Sequence, residues 1–171
     1  LMLKGLCEAY RAFHKPEYLE LALKNAGFIT GNMLCEDGRL KRIASPKSSP
    51  KERTLNEVQW NSLSPGEGRG EATFAFLDDY ANIIDAFIAL YEVTFNEEWL
   101  QKAKALTDQA ISHYYDQQTG IFCFTAVDDE QLIARKSEIM DSVIPASNSV
   151  MANNLKKLSL LFDDEHYSEI S

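Results

Sequence analysis

Cysteine, histidine and long apolar runs are scarce in this chain, and each scarcity argues against a class of protein. The 171 residues include three cysteines and three histidines. Cys7, Cys35 and Cys123 form no Cys-x-x-Cys pair and leave an odd count, which favours reduced, buried thiols and a cytoplasmic location over a disulfide scaffold. No stretch reaches the roughly 20 apolar residues of a membrane span.

An excess of basic residues is also missing. The formal net charge is −9, whereas partners such as nucleic acid or an anionic membrane require clustered Lys and Arg. We therefore expect neither partner. The basic run at residues 41–53 is diluted by Ser and Pro, and it predicts a solvated loop.

An internal repeat is the strongest positive signal. Residues 10–26 (YRAFHKPEYLELALKNA) align without a gap on residues 91–107 (YEVTFNEEWLQKAKALT), which lie 81 positions later. A third, partial copy begins near Leu158 and places Tyr167 on Trp99, 68 positions apart. Repeats of this length indicate stacked supersecondary units.

Each copy has the pattern of two antiparallel helices joined by a short connector. Pro16 and Asn96 mark the starts of the second helices as N1 and N-cap residues. The second helices are predicted to bury Leu19, Ala22, Leu23 and Ala26 in one copy, and Leu100, Ala103, Leu106 and Ala110 in the next. The long links between copies contain Gly38 and Gly120 beside β-prone residues, which predicts short β-hairpins there.

The repeat also makes predictions about the domain. We expect residues 1–171 to form one incomplete domain of about two and a half hairpins, with residues 44–70 as a mobile loop insertion. The first helix is expected to lack its start, and the last helix to end after about one turn. The exposed faces of the first and last helices should be apolar, and we expect the missing remainder of the chain or a second copy to cover them.

Residues 76–103 (FLDDYANIIDAFIALYEVTFNEEWLQKA) and 120–150 (GIFCFTAVDDEQLIARKSEIMDSVIPASNSV) resemble the spermatogenesis-associated protein 20 family. Members of that family join a thioredoxin-like domain to a helical toroid similar to the N-acylglucosamine 2-epimerases and six-hairpin glycosidases. The resemblance implies an all-α fold, a partial α/α toroid with inner and outer helices. The thioredoxin-like domain is not part of this chain.

The repeat predicts where a binding site lies. At a spacing of 68 positions, Asp78, Asp79 and Tyr80 fall on Ala146, Ser147 and Asn148, so both triplets start an inner helix. Inner helices run parallel in a toroid, and helix N-termini suit oxygen-rich ligands. The predicted substrate-binding residues at this rim are Asp78, Tyr80, Arg135, Ser147, Asn148 and Ser149. Packing in the core is the alternative for Tyr80, and an ion pair is the alternative for Arg135.

Asp79 and Asp141 are the candidate catalytic pair. Glycoside hydrolysis needs two carboxyl groups, one that donates a proton and one that acts as base or nucleophile. Helix capping is the alternative for Asp78 or Asp79, and a turn or cap is the alternative for Asp141. Trp60 is a further candidate for stacking on a sugar.

No cofactor or metal site is predicted. An epimerase needs histidines, and His14, His113 and His166 lie away from the expected rim. The run at 163–166 (DDEH) fits a helix start better than a metal site. Two hypotheses remain: part of a carbohydrate-active toroid protein, or a non-enzymatic scaffold that binds a peptide or packs on a thioredoxin-like domain.

Overall fold

The computed structural model describes residues 1–35, 37–43, 74–127 and 136–171. These residues form helices and one two-stranded sheet. The elements are α1 (Met2–Phe13), α2 (Pro16–Asn32), α3 (Leu77–Thr94), α4 (Glu97–Tyr114), β1 (Tyr115–Asp116), β2 (Ile121–Phe122), α5 (Ser147–Phe162) and α6 (Glu165–Ile170). The predicted loop at 44–70 lies outside the described residues.

The helices pair as three hairpins, α1–α2, α3–α4 and α5–α6, as the repeat predicts. Each hairpin turns on a residue in the left-handed conformation: His14, Phe95 and Asp163, with φ of 52°, 54° and 53°. These residues occupy equivalent repeat positions. A left-handed residue directly after a helix lets its N–H bond a carbonyl of the last turn, which ends the helix sharply.

The outer helices begin where their sequences predict. Asn96 accepts a hydrogen bond from the N–H of Glu98 at 3.0 Å. Asp164 does the same for the N–H of His166, also at 3.0 Å. The acidic run at the start of α6 is thus a helix cap, because a side-chain oxygen satisfies an N–H that the first turn leaves unpaired.

The inner helices α1, α3 and α5 run parallel. Lys4 and Arg11 of α1 pair with Asp85 and Glu92 of α3, and each pair is separated by 81 residues. Equivalent positions of the first two copies therefore contact each other directly. On the other side of α3, Asn154 of α5 donates to the carbonyl of Ala81 at 2.8 Å, and Lys157 lies one turn further along beside Asp85.

Helix α3 is the centre of the core because it packs against α1, α4 and α5. Its apolar residues are buried on almost every side, from Leu77 to Leu90. Helix α2 packs mainly on α1. The prediction that Leu23 is buried is therefore wrong: the residue is 40% exposed, whereas Ala22 and Ala26 are fully buried. The four residues predicted for α4 are all buried.

The predicted β-hairpin after α4 is confirmed. Strands β1 and β2 pair antiparallel around Gly120, whose φ of 71° suits a residue without a side chain. The equivalent turn at Gly38 has a φ of 83° and is flanked by isolated bridges, one of which joins Leu34 and Leu40. Among the helices in the described ranges, none combines the length and the apolar character needed to cross a membrane.

Candidate functional site

The N-terminal ends of α3 and α5 lie at the same edge of the molecule, here called the rim. The segment 121–124 joins them. The N–H of Leu77, the first residue of α3, donates to the carbonyl of Phe124 at 3.1 Å. Asn148, in the first turn of α5, bonds both backbone groups of Phe122. The two polar triplets are therefore brought together at one end, which the site hypothesis requires.

The predicted alignment of the two triplets needs a correction. Helix α3 starts at Leu77 and α5 at Ser147, so the spacing at the rim is 70 residues instead of 68. Asn148 is thus equivalent to Asp78, and not to Tyr80. The cause is helix length, since α3 has 18 residues and α5 has 16.

Asp79 caps the start of α3. Its Oδ2 accepts the N–H of Phe76 at 3.1 Å, and the guanidinium of Arg42 lies 3.7 Å from the same oxygen. Phe76 has no side-chain acceptor, so only half of a capping box exists here. Burial raises the pKa of the Asp79 carboxyl above its ordinary value of 3.8, and the charge of Asp78 adds to this. The Phe76 N–H and Arg42 oppose the rise only in part.

Asp78 has a different environment. Its Oδ1 is buried and makes no hydrogen bond with any part of the chain that the structure describes. A buried carboxylate oxygen without a donor is costly, because it has lost its water and gained no replacement. Capping thus explains Asp79 and leaves the side chain of Asp78 unexplained.

Tyr80 lies in the core. The residue is 2% exposed, and its ring lies 5.3 Å from the ring of Tyr114. Its hydroxyl accepts the N–H of Leu40 at 3.0 Å, which fixes the loop before α3. No face of the ring is open to a sugar, so packing in the core accounts for Tyr80 and the expected stacking contact does not.

Asp141 and the serines at the start of α5 bond one another. Oδ1 of Asp141 accepts the N–H of Ala146 at 2.7 Å and the hydroxyl of Ser149 at 3.1 Å. Ser147 is buried, and its hydroxyl donates to Glu138 at 3.3 Å. Asp141 is exposed and holds the start of α5, which is the cap role considered for it.

Asn148 uses its whole amide group within the protein. Oδ1 accepts the N–H of Phe122 at 2.8 Å, and Nδ2 donates to the carbonyls of Phe122 at 3.0 Å and Glu138 at 2.8 Å. One oxygen and both N–H groups are engaged, so the side chain joins three segments. Its first role is to hold β2 against α5.

The sequence did not reveal Arg42 as a site residue. The basic run at 41–53 is predicted to be solvated, and Arg42 is exposed. Its guanidinium nevertheless lies over the ring of Phe76, 4.6 Å from the centroid, and beside Asp79. Arg42 and Asp79 are 37 positions apart in the sequence, so no local pattern predicts their contact. Arg135 and Trp60 lie outside the described residues.

Comparison with known proteins supports the family resemblance. An uncharacterised protein of Caenorhabditis elegans is 30% identical over 169 residues, which are 99% of this chain and 21% of that protein. Human spermatogenesis-associated protein 20 is 35% identical over 140 residues, and the mouse protein is 28% identical over 160 residues. These matches cover 76% and 92% of this chain, and 18% of each relative. The chain is a homologue of spermatogenesis-associated protein 20.

The chain spans about a fifth of the length of these curated relatives. No family model matches its sequence. Two solved structures have the same fold, each with a TM-score of 0.60. A GH76 α-mannanase of Bacteroides thetaiotaomicron is 12% identical and matches 96% of this chain and 35% of its own. The Lin0763 protein of Listeria innocua is 15% identical and matches 98% and 39%.

The fold of this homologue of spermatogenesis-associated protein 20 is therefore that of a helical toroid of the six-hairpin glycosidase type, represented by nearly three hairpins. At such low identity the two solved structures establish the architecture only. The chemistry has to be argued from the side chains at the rim.

Proposed function

We propose that this chain forms part of a sugar-binding, carbohydrate-active α/α toroid, with glycosidase-like carboxyl chemistry at the rim of the inner helices. The observation that carries the proposal is the buried, unpartnered Oδ1 of Asp78 at the first turn of α3. A sugar hydroxyl is the kind of donor that this oxygen lacks. The structural similarity to a glycosidase toroid supports the same choice.

Within this proposal Asp79 donates the proton. A general acid must be protonated near its working pH, and the pKa of Asp79 is raised in that direction. Asp141 is proposed as the second carboxylate, reached from the loop before α5. Its Oδ1 already holds the helix start, so Oδ2 is the atom assigned to the reaction.

The proposed binding residues are Asp78, Ser149 and Arg135, with Arg42 added from the structure. Asn148 can offer a ligand only the second lone pair of its Oδ1, because both of its N–H groups are engaged within the protein. Ser147 supports them from a buried position. A cytoplasmic site of action is proposed on the ground that all three cysteines are free.

The test is a saturation-transfer NMR screen of mono- and disaccharides against the purified full-length protein. Asp78→Asn should abolish or strongly reduce the transfer, because the neutral amide has one acceptor oxygen in place of the two charged oxygens of the carboxylate. Asp163→Asn serves as the matched control, since Asp163 ends α5 far from the rim and Asn tolerates its left-handed backbone. The absence of any saccharide signal that depends on Asp78 would refute the proposal.

A second function, a non-enzymatic scaffold, is favoured by one observation. The loop before α5 exposes four apolar side chains around Asp141: Ile139, Met140, Val143 and Ile144, which are 51% to 98% exposed. A cluster of exposed apolar residues is typical of a docking surface. We propose that this loop binds a peptide or packs on a thioredoxin-like domain.

Calorimetric titration of the full-length protein with candidate peptides tests the scaffold. Replacing Met140 and Val143 by Ser should weaken the binding of a peptide ligand. Leu160→Ser is the control, because Leu160 is also largely exposed, 74%, but lies at the other end of α5. Equal losses in both variants would contradict a specific role of the loop.

A further inference from the structure

A charged cluster lies on the inner helices about two turns below the rim. The carboxylate of Asp85 is held between Lys4 of α1, at 2.5 Å, and Lys157 of α5, at 3.2 Å. The Asp85 side chain is 11% exposed, while each lysine side chain is 41% exposed. One residue from each of the three inner helices thus converges on one point.

The cluster lies on the face of α3 that is turned away from the outer helix. Phe87 packs on Trp99 of α4, with ring centroids 5.5 Å apart. Asp85 is two residues earlier, which is about 200° around an α-helix. In a toroid that face lines the interior, so the half-exposed ammonium groups of Lys4 and Lys157 border the interior space.

The cluster has more positive charge than its own stability needs. A buried carboxylate requires one opposite charge and satisfied hydrogen bonds. Asp85 has two lysines, so the three residues together carry one net positive charge in a chain whose formal net charge is −9. On the side away from the rim, α1 and α3 carry Glu8, Arg11 and Glu92, and Arg11 pairs with both glutamates. Lys156, the neighbour of Lys157 on α5, is exposed.

We propose that Lys4, Asp85 and Lys157 form a subsite for the anionic group of an acidic sugar, a phosphate or a carboxylate. The inference deepens the proposed function, on which it rests for the sugar part of the ligand. Lysine binds such groups as a strong point charge with three donors. Asp85 orients both ammonium groups from the rigid central helix.

The spacing suits one ligand. Asp78 and Asp85 are seven residues apart on the same face of α3, which is about 10 Å along the helix axis. Asn82 lies between them on that face. A phosphorylated monosaccharide or a short acidic saccharide spans this length, with its neutral end at Asp78 and its anionic end at the two lysines.

Calorimetric titration of the purified full-length protein tests the subsite with four probes: inorganic phosphate, glucose 6-phosphate, glucuronate and glucose. We expect the anionic probes to bind more tightly than glucose, and the two acidic sugars to show which anion is preferred. Lys4→Gln and Lys157→Gln should each weaken anion binding about tenfold, the usual effect of losing one charge-assisted hydrogen bond.

Two further variants separate binding from folding. Asp85→Asn should tighten anion binding, because the amide keeps an acceptor oxygen for a lysine and removes the competing negative charge, whereas a purely structural ion pair predicts no gain. Lys102→Gln is the matched control: Lys102 also pairs with a carboxylate, Glu98, but on the outer helix α4. Melting curves of each variant establish that it is folded, and the Asp85→Asn gain remains a test even where a lysine variant unfolds.

The outcomes distinguish the two proposals. If glucose and the acidic sugars bind equally in every variant, the subsite is refuted and the proposed function stands. If phosphate binding depends on Lys4 and Lys157 but no sugar binds, the anion site stands and the sugar function fails. If no probe binds, both fail. Equal loss in Lys102→Gln would also overturn the subsite, because it would reflect net charge alone.

Discussion

Replacing Asn148 by Ala should loosen the rim without any ligand present. Three hydrogen bonds of the Asn148 amide join α5 to Phe122 and Glu138. The two bonds to Phe122 are partly buried, and each contributes about 1 kcal/mol net. The bond to Glu138 is exposed and contributes about 0.5 kcal/mol.

Alanine is also the better helix former, which returns about 0.5 kcal/mol at this position in the first turn of α5. The net local cost is therefore about 2 kcal/mol. Since 1.4 kcal/mol corresponds to a factor of ten, the hydrogen-exchange rate of the Phe122 amide should rise about 30-fold. The change should be local, because the three lost bonds involve backbone groups of Phe122 and Glu138 and none of them involves α3.

Hydrogen exchange measured by mass spectrometry on a peptide covering residues 115–124 is the appropriate assay in the full-length protein. Asn153→Ala is the matched control on the same helix: its amide makes one exposed bond to the carbonyl of Ser149, at 3.0 Å. The control should leave residues 115–124 unchanged. Unaltered exchange in Asn148→Ala, or the same change in both variants, would refute a structural role for Asn148.

Three other outcomes are expected. Because the pKa of Asp79 is raised, its ionisation favours unfolding: the stability it contributes is complete below the ordinary value of 3.8 and is lost as pH rises through the raised value. Denaturation curves across this range should show the loss, and Asp79→Asn should remove it. Burial and the hydrogen bond to Asp108 raise the pKa of Tyr167 to about 12, so its phenol should ionise above the ordinary value of 10 in an absorbance titration. Cys7, buried and with a pKa of about 11, should resist Ellman's reagent at pH 8, whereas the half-exposed Cys35 reacts.

The repeat made the fold predictable because equivalent positions in each copy have the same structural role. The turns at His14, Phe95 and Asp163 have almost the same φ although the three residues share no chemistry. All three residues follow directly after a helix, at a point where the chain reverses direction within two residues. The sequence analysis predicts the short connector but not its left-handed backbone, since Phe in that region is rare.

The repeat was less accurate at the rim. Aligning the outer helices gave a spacing of 68 residues, and the starts of α3 and α5 lie 70 apart. The turn signals fix the C-terminal ends of the inner helices, whereas Phe76 and Ala146 are N-caps without a side-chain acceptor. With no cap signal at those starts, the sequence cannot locate the first turn.

For the same reason, the sequence cannot decide whether Asp78 or Asp79 caps the start of α3. Both side chains lie in the first turn, where unpaired N–H groups attract carboxylates. Because Phe76 is the N-cap, Asp79 occupies the third position of the helix, whose side chain can reach back to the N-cap N–H. Phe76 itself packs on Phe124 and Arg42 from distant segments. The sequence narrows the capping residue to Asp78 or Asp79, and the structure identifies Asp79 as the one that caps.

If an acidic sugar binds as proposed, the order of charges on α3 determines how it lies in the interior. Asp78 stands at the rim, and an anion placed beside it would meet a like charge at short range. The lysines on Asp85 lie deeper, so the anionic end is favoured there and the neutral end stays at Asp78. Asp79, the carboxyl with the raised pKa, is then next to the uncharged end. A proton donated there would reach a glycosidic oxygen, and the anionic group would act as the anchor.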